Sequence, residues 1–87
     1  MKVTQTTQFR KDLKIQQKRG KDLQKVRDLI AHSLSEKTLP VKNRDHALTG
    51  NWFGWRDCHL EPDWLLIYKR SEVELTLGRT GTHADLF

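Results

Sequence analysis

Residues 56–69, Arg56-Asp57-Cys58-His59-Leu60-Glu61-Pro62-Asp63-Trp64-Leu65-Leu66-Ile67-Tyr68-Lys69, decide how this chain folds. Trp64 to Tyr68 is its longest apolar run, a length that suits an extended segment. Glu61-Pro62-Asp63 separates that run from another extended segment, about Trp52 to Leu60. Pro62 has no N–H to give to a central ladder, and its fixed φ suits the second position of a tight turn. Downstream, Lys69 to Glu72 makes a second turn and Val73 to Arg79 a third extended segment. Connections this short join antiparallel neighbours, so the C-terminal half reads as a meander.

Upstream the periodicity changes from two to helical. Thr6 or Thr7 is the N-cap of a helix through about Arg19, with Phe9 and Leu13 on one face and Gly20 as its stop. A second helix runs from Lys21 or Asp22 to Ser35, with Leu23, Val26, Ile30 and Leu34 at near-helical spacing, broadened by Leu29. Asp22 lies favourably near its positive end. Leu39-Pro40 closes this helix, and Lys42 to Gly50 is a polar loop carrying Asp45 and His46. The short Val/Thr-containing start reads as a strand. Helices first and strands after indicate an α+β fold, two N-terminal helices packed on one face of a small antiparallel sheet, with residues 1–87 as a single domain.

Eighty-seven residues with 36% hydrophobic content allow one small core, which excludes a large multi-domain enzyme. Five apolar residues fall far short of the roughly 20 that cross a bilayer. Met1-Lys2-Val3-Thr4 opens no signal-peptide core, so a soluble, cytoplasmic protein is expected. The single cysteine, Cys58, cannot close an intramolecular disulfide. Charge is distributed unevenly: residues 1–44 hold twelve Lys/Arg and four Asp/Glu, residues 45–87 four and seven. Lys11, Lys14, Lys18, Arg19, Lys21, Lys25 and Arg27 give the helical hairpin a basic outer surface, suited to a polyanion such as nucleic acid or an acidic protein.

Three of the four histidines, His46, His59 and His83, fall in the acidic half beside or near Asp45, Asp57, Asp63 and Asp85. With a reference pKa near 6.5, an imidazole near a carboxylate both donates and accepts protons at neutral pH, and each such group is worth about 10²- to 10⁴-fold in rate. In a meander, the hairpin end at Leu60/Trp64 and the tail after the last strand share a rim on which these residues converge. His32, on the second helix, reads as structural. A three-histidine metal site with Asp63 is disfavoured, because spacings of 13 and 24 residues match no compact motif. Cys58 and His59 are neighbours in one strand and point to opposite faces, so Cys58 belongs to the core. Trp52, Phe53, Trp55 and Trp64 cluster around the first hairpin, most of them packed, although aromatics beside cations also stack on RNA bases. Strict alternation sets Arg79 on the face of Val73, Leu75 and Leu77, an unfavourable place for a guanidinium. A bulge at Gly78 would re-aim it to the rim to clamp a phosphate, the simpler reading being a salt bridge at the strand end. A non-catalytic basic RNA- or ribosome-binding module accounts for the charge but not for three histidine-bearing segments. A DNA-binding repressor lacks the sharp turn and recognition-helix pattern that it needs.

Asp45-His46-Ala47-Leu48-Thr49-Gly50, then residues 56–69 as quoted, then Arg79-Thr80-Gly81-Thr82-His83-Ala84-Asp85-Leu86-Phe87 resemble the YafQ family, toxins of bacterial toxin–antitoxin pairs within the RelE superfamily. The resemblance runs in order across essentially the whole chain. It implies a compact antiparallel sheet with two N-terminal helices, and a ribosome-dependent mRNA endonuclease cutting within A-site codons, with a leaning toward adenine-rich lysine codons. The family's functional positions fall on His46, His59, Asp63, His83 and Phe87, with Asp57, Trp64 and Arg79 in support. The implied chemistry needs no cofactor or metal: His46 or Asp63 takes the proton of the ribose 2′-hydroxyl, His59 or His83 protonates the leaving 5′-oxygen, Arg79 steadies the phosphorane, and Phe87 stacks on or positions a base. Lys14, Lys18 and Lys25 then hold ribosomal RNA. A cognate DinJ-type antitoxin and operator DNA, bound through the toxin–antitoxin complex, are the further implied partners.

Overall fold

The computed structural model describes residues 1–35 and 43–87. The expected helix stop at Leu39-Pro40 and the start of the expected loop at Lys42 lie outside the described residues. Strand β1 (Lys2–Gln5) leads into helix α1 (Thr7–Lys18), helix α2 (Gln24–Ser35) and strand β2 (His46–Ala47). A 3₁₀ turn (Gly50–Trp52), strands β3 (Arg56–Glu61), β4 (Trp64–Arg70) and β5 (Glu74–Gly81), and a terminal helix α3 (His83–Leu86) complete the order.

Helix α1 starts and stops as its sequence dictates. The Thr6 hydroxyl accepts from Phe9 N at 3.0 Å and donates to Gly78 O at 2.8 Å, so one side chain caps the helix and ties it to β5. At the other end Gly20 takes φ +84°, while Gly20 N and Lys21 N bond back to Gln17 O and Gln16 O, both at 3.0 Å. That paired closure needs a left-handed residue, which glycine supplies without steric cost. Helix α2 begins two residues after Asp22 because Asp22 caps it, its Oδ1 accepting from Gln24 N at 2.9 Å.

The sheet order is β1-β5-β4-β3-β2. The β3-β4-β5 meander is antiparallel as expected, but β1 pairs with β5 in parallel, so the sheet is mostly rather than wholly antiparallel. Strand β3 starts at Arg56, not Trp52, because the 3₁₀ turn occupies residues 50–52. His46 belongs to a short edge strand paired with β3 rather than to a loop, β5 continues past Arg79 to Gly81, and the tail is partly helical.

Strand β4 is central and covered on both faces, the physical reason its sequence is an unbroken apolar run. On one face Phe9, Val26 and Leu29 from the helices pack on Cys58, Trp64, Leu66, Tyr68, Leu75 and Leu77. On the other, Leu65 and Ile67 pack with Leu86 of α3, joined by Leu48, Trp52 and Trp55. Phe9 is fully buried, and truncating a ring so placed to alanine costs about 3–5 kcal/mol. No helix among the described residues is long and apolar enough to cross a membrane.

Candidate active site

Strand register builds the site. His46 pairs with Asp57, Asp57 with Ile67, and Ile67 with Arg79, so four strands contribute one row across the sheet. Paired residues share a face, and Ile67 lies on the face away from α1 and α2. His59 and Leu65 form the neighbouring row, which Gly81 extends. Arg79 joins its row only because β5 bulges. Tyr68 pairs with Leu77 and Ile67 with Arg79, which leaves Gly78 as the extra residue and turns Arg79 off the face of Leu75 and Leu77. Gly78 admits this for want of a side chain, since a Cβ there would lie 2.5 Å from Cζ3 of Trp55. The bulge thus re-aims Arg79, and a salt bridge holds it there, Nε and Nη2 donating to Asp12 Oδ2 and Oδ1 at 3.0 and 3.1 Å.

The three imidazoles gather around Asp57. His46 Nδ1 lies 3.0 Å from Asp57 Oδ1, and the rings of His59 and His83 are 5.6 Å apart, centroid to centroid. Burial pushes the Asp57 carboxyl above its ordinary range, and the electrostatic pull of His46, His59 and His83 opposes that rise. Each imidazole is tethered through Nδ1: His46 to Arg44 O at 2.8 Å, His59 to Pro62 O at 3.2 Å, and His83 to Asp63 Oδ1 at 2.5 Å. A carbonyl only accepts, so Nδ1 carries the proton in His46 and His59, and the close Asp57 oxygen is an ion-pair neighbour of His46 without hydrogen-bond alignment. Asp63 accepts from both His83 N, at 2.9 Å, and His83 Nδ1, which holds its carboxyl below the ordinary range. In neutral imidazoles so tethered, Nε2 is the atom left to take or return a proton. Side-chain exposures of 54% for His46 and 55% for His83 place them at the surface above the nearly buried Asp57.

His46, His59, Asp63, His83 and Asp57 thus converge, with Arg79 in the same row as His46. Phe87 follows α3 and is 61% exposed. Trp64 does not reach the site: it is fully buried among the residues packed against the helices, its Nε1 donating to Thr80 Oγ1 at 3.0 Å. The reason is position, since β4 is the central strand and its first residue faces α1 and α2. Cys58 likewise lies in that core, and burial pushes its thiol up, away from reactivity. Among the hairpin cations, Lys14 and Lys18 are exposed, whereas Lys25 Nζ is bound to Glu61 Oε2 at 2.8 Å. No group of three His, Cys, Asp or Glu side chains among the described residues is arranged to hold a metal ion.

Several supporting residues escaped the sequence reading. Asn43 Nδ2 donates to His59 O at 2.8 Å, and Asp45 accepts from Tyr68 Oη and from Arg56 Nε and Nη2 at 3.2 and 3.0 Å, which together pin the segment carrying His46. Arg19 Nη1 and Nη2 bind Asp85 Oδ2 and Oδ1 at 2.6 and 3.2 Å, fastening α3, and hence His83, to the end of α1. Thr82 and Asp85 also form a capping box. In the sequence Arg19 is one of several cations on the basic outer surface of the hairpin, with nothing local to set it apart. Asp12, in contrast, carried a legible signal: a carboxylate on the helical stripe of Phe9, Leu13 and Gln16, where an apolar residue is ordinary.

Comparison with known proteins converges on the same conclusion. The model of the YafQ family, bacterial toxins of type II toxin–antitoxin systems, matches residues 1–87. The chain is 48% identical over 81 residues to the mRNA interferase toxin YafQ of Escherichia coli K12, covering 92% of this chain and 88% of that one. It superposes on the crystal structure of YafQ from E. coli BL21(DE3) with a TM-score of 0.93 at 44% identity, covering 98% of this chain and 96% of the other. For the E. coli DinJ–YafQ complex the TM-score is 0.90 at 45% identity, over 98% and 96%. With its three histidines gathered on one sheet face and its whole length matched, the chain belongs to the YafQ family of type II toxins, and its activity is that of an mRNA interferase.

Proposed function

We propose that this toxin, acting as one domain, cuts message in the ribosomal A site by turning the ribose 2′-hydroxyl against its own 3′-phosphate. The oxygen–phosphorus bond to the 5′-oxygen breaks as the new one forms, leaving 2′,3′-cyclic phosphate and 5′-hydroxyl ends. The ribose supplies the nucleophile, so proton transfer and charge stabilisation are what the protein must add. His46 is the base: its Nδ1–H is committed to Arg44 O, which leaves Nε2 to take the 2′-proton. Asp63 suits that role less, because it binds His83 twice and its carboxyl is held low, the signature of an orienting partner. His59 or His83 returns a proton to the 5′-oxygen, Asp57 balances imidazolium charge from below, Arg79 meets the phosphorane, and Phe87 stacks on a base.

The observation that carries this reading is the convergence of three Nδ1-tethered imidazoles on one buried carboxylate. Lys14 and Lys18, with Lys25 less available, hold ribosomal RNA. A DinJ-like antitoxin neutralises the toxin, a reading supported by the complex in which the E. coli relative is found, and it carries the pair to operator DNA. The test is cleavage of a message on programmed ribosomes, with the product ends identified. His59→Ala and His83→Ala each slow cleavage by about 10²- to 10⁴-fold while ribosome association persists. Normal rates in both variants, or 3′-phosphate ends formed without a cyclic precursor, reject the reading.

A further inference from the structure

Asp12 is a heavily bonded buried carboxylate near the site, and it lies on helix α1, outside the histidine cluster itself. Its side chain is 4% exposed. Oδ1 accepts from Gln8 Nε2 at 3.0 Å and Arg79 Nη2 at 3.1 Å, and Oδ2 from Arg79 Nε at 3.0 Å and Thr80 N at 3.2 Å. Its place in the fold explains why these donors come together. Strand β1 pairs with β5 only through Leu77, so beyond that point no β1 residue pairs with this edge of β5. Asp12 reaches that edge from α1 and takes the N–H of Thr80 that a further strand would have taken. The same carboxylate thereby grips the backbone just past the Gly78 bulge and the side chain that the bulge turned.

We propose that Asp12 is a positioning residue of the cleavage reaction, holding the Arg79 guanidinium by its Nε/Nη2 edge so that the Nη1 edge is presented to the scissile phosphate. This rests on the reading of Arg79 as the group that meets the phosphorane. A guanidinium has five donors in a rigid fork, so binding one edge sets the direction of the other. A donor fixed before substrate arrives needs no reorganisation as charge develops. A lysine has no second edge and cannot be aimed in this way.

The experiment is single-turnover cleavage on programmed ribosomes, with ribosome affinity and thermal melting measured on each variant. Arg79→Ala is expected to slow cleavage about 10²- to 10³-fold, the usual loss for a transition-state donor. Asp12→Asn, which misplaces that donor, loses about 10- to 100-fold in the cleavage step with ribosome affinity unchanged. The double variant cleaves no more slowly than Arg79→Ala alone, because Asp12 acts only through Arg79. Arg79→Lys, which keeps the charge but not the fork, falls nearly as far as Arg79→Ala, and this comparison decides the matter if Asp12→Asn does not fold. A normal rate for Asp12→Asn, losses that multiply in the double variant, or a near-normal rate for Arg79→Lys overturns the assignment while leaving the role of Arg79 intact. A normal rate for Arg79→Ala removes that role, and the assignment with it.

Discussion

Replacing Gly78 with alanine adds one methyl group at the point where β5 changes face. The new Cβ would lie 2.5 Å from Cζ3 of Trp55 and 3.1 Å from Cε3 and Cη2, against about 3.5–4.0 Å for ordinary carbon contact. Either the ring retreats by about 1 Å or the strand gives way. The ring is not free to move: Trp52 meets it edge-on at 5.8 Å and 86°, and Lys69 Nζ sits 4.5 Å from its centroid. Its backbone is held as well, Leu48 N donating to Trp55 O at 2.9 Å. Overpacking of this kind costs about 1–3 kcal/mol. Gly78 does not occupy the left-handed region, so alanine also stiffens the unfolded chain and returns about 0.4–1 kcal/mol. Mid-range values leave a net loss of about 1–2 kcal/mol, or roughly 5–15 °C in Tm for a domain of this size. Thermal melts of Gly78→Ala, Trp55→Ala and the double variant measure it. Without the indole the alanine has nothing to strike, so the double variant melts close to Trp55→Ala. Because Arg79 is the next residue, Gly78→Ala also slows message cleavage. A melt within about 2 °C of the parent, or the same loss with and without Trp55, refutes the steric account.

Phe87→Ala leaves Tm unchanged, since the ring is 61% exposed, and slows cleavage by about 5- to 150-fold if it stacks on a base; a large drop in Tm with cleavage intact would show a structural role instead. Asp85→Asn releases the Arg19 clamp and frays α3. The folded Asp85 carboxyl is held below its ordinary range by Arg19 and by Thr82 N, so its contribution is complete above about pH 5 and is lost as pH falls below about 4. The Tm gap between parent and Asp85→Asn is therefore constant from neutral pH to about 5 and narrows in acid; a gap that widens in acid contradicts the assignment. Lys14→Gln and Lys18→Gln each reduce the salt slope of ribosome association by about 0.7. Adding Lys25→Gln changes the slope little, because Glu61 already holds that ammonium. Equal slopes for parent and double variant count against the hairpin as the ribosomal surface.

How much of this was legible depended on how local the cause was. An N-cap at Thr6 or Thr7, the stop at Gly20, the Pro62 turn, the meander and the two amphipathic helices follow from neighbours within a few residues, and the sequence determined them. So did the opposed directions of Cys58 and His59, because alternation along a strand is a property of the backbone. The segments bearing His46, His59 and His83 were visible as chemistry and as a family resemblance. Nothing local brings residues 46, 59 and 83 together. That took the pairing of β2 with β3, a central β4, and a terminal helix fastened through Arg19 and Asp85, contacts between residues 66 apart. Trp64 shows the same limit from the other side: the family resemblance implied a supporting place at the site, yet strand direction sends the ring into the core. The outcome for Arg79 needed both levels. Gly78 marked where a bulge belonged, but only the packed structure set Trp55 against that glycine and Asp12 against the guanidinium, because a side chain's partner across the fold is chosen by the assembled surfaces around it.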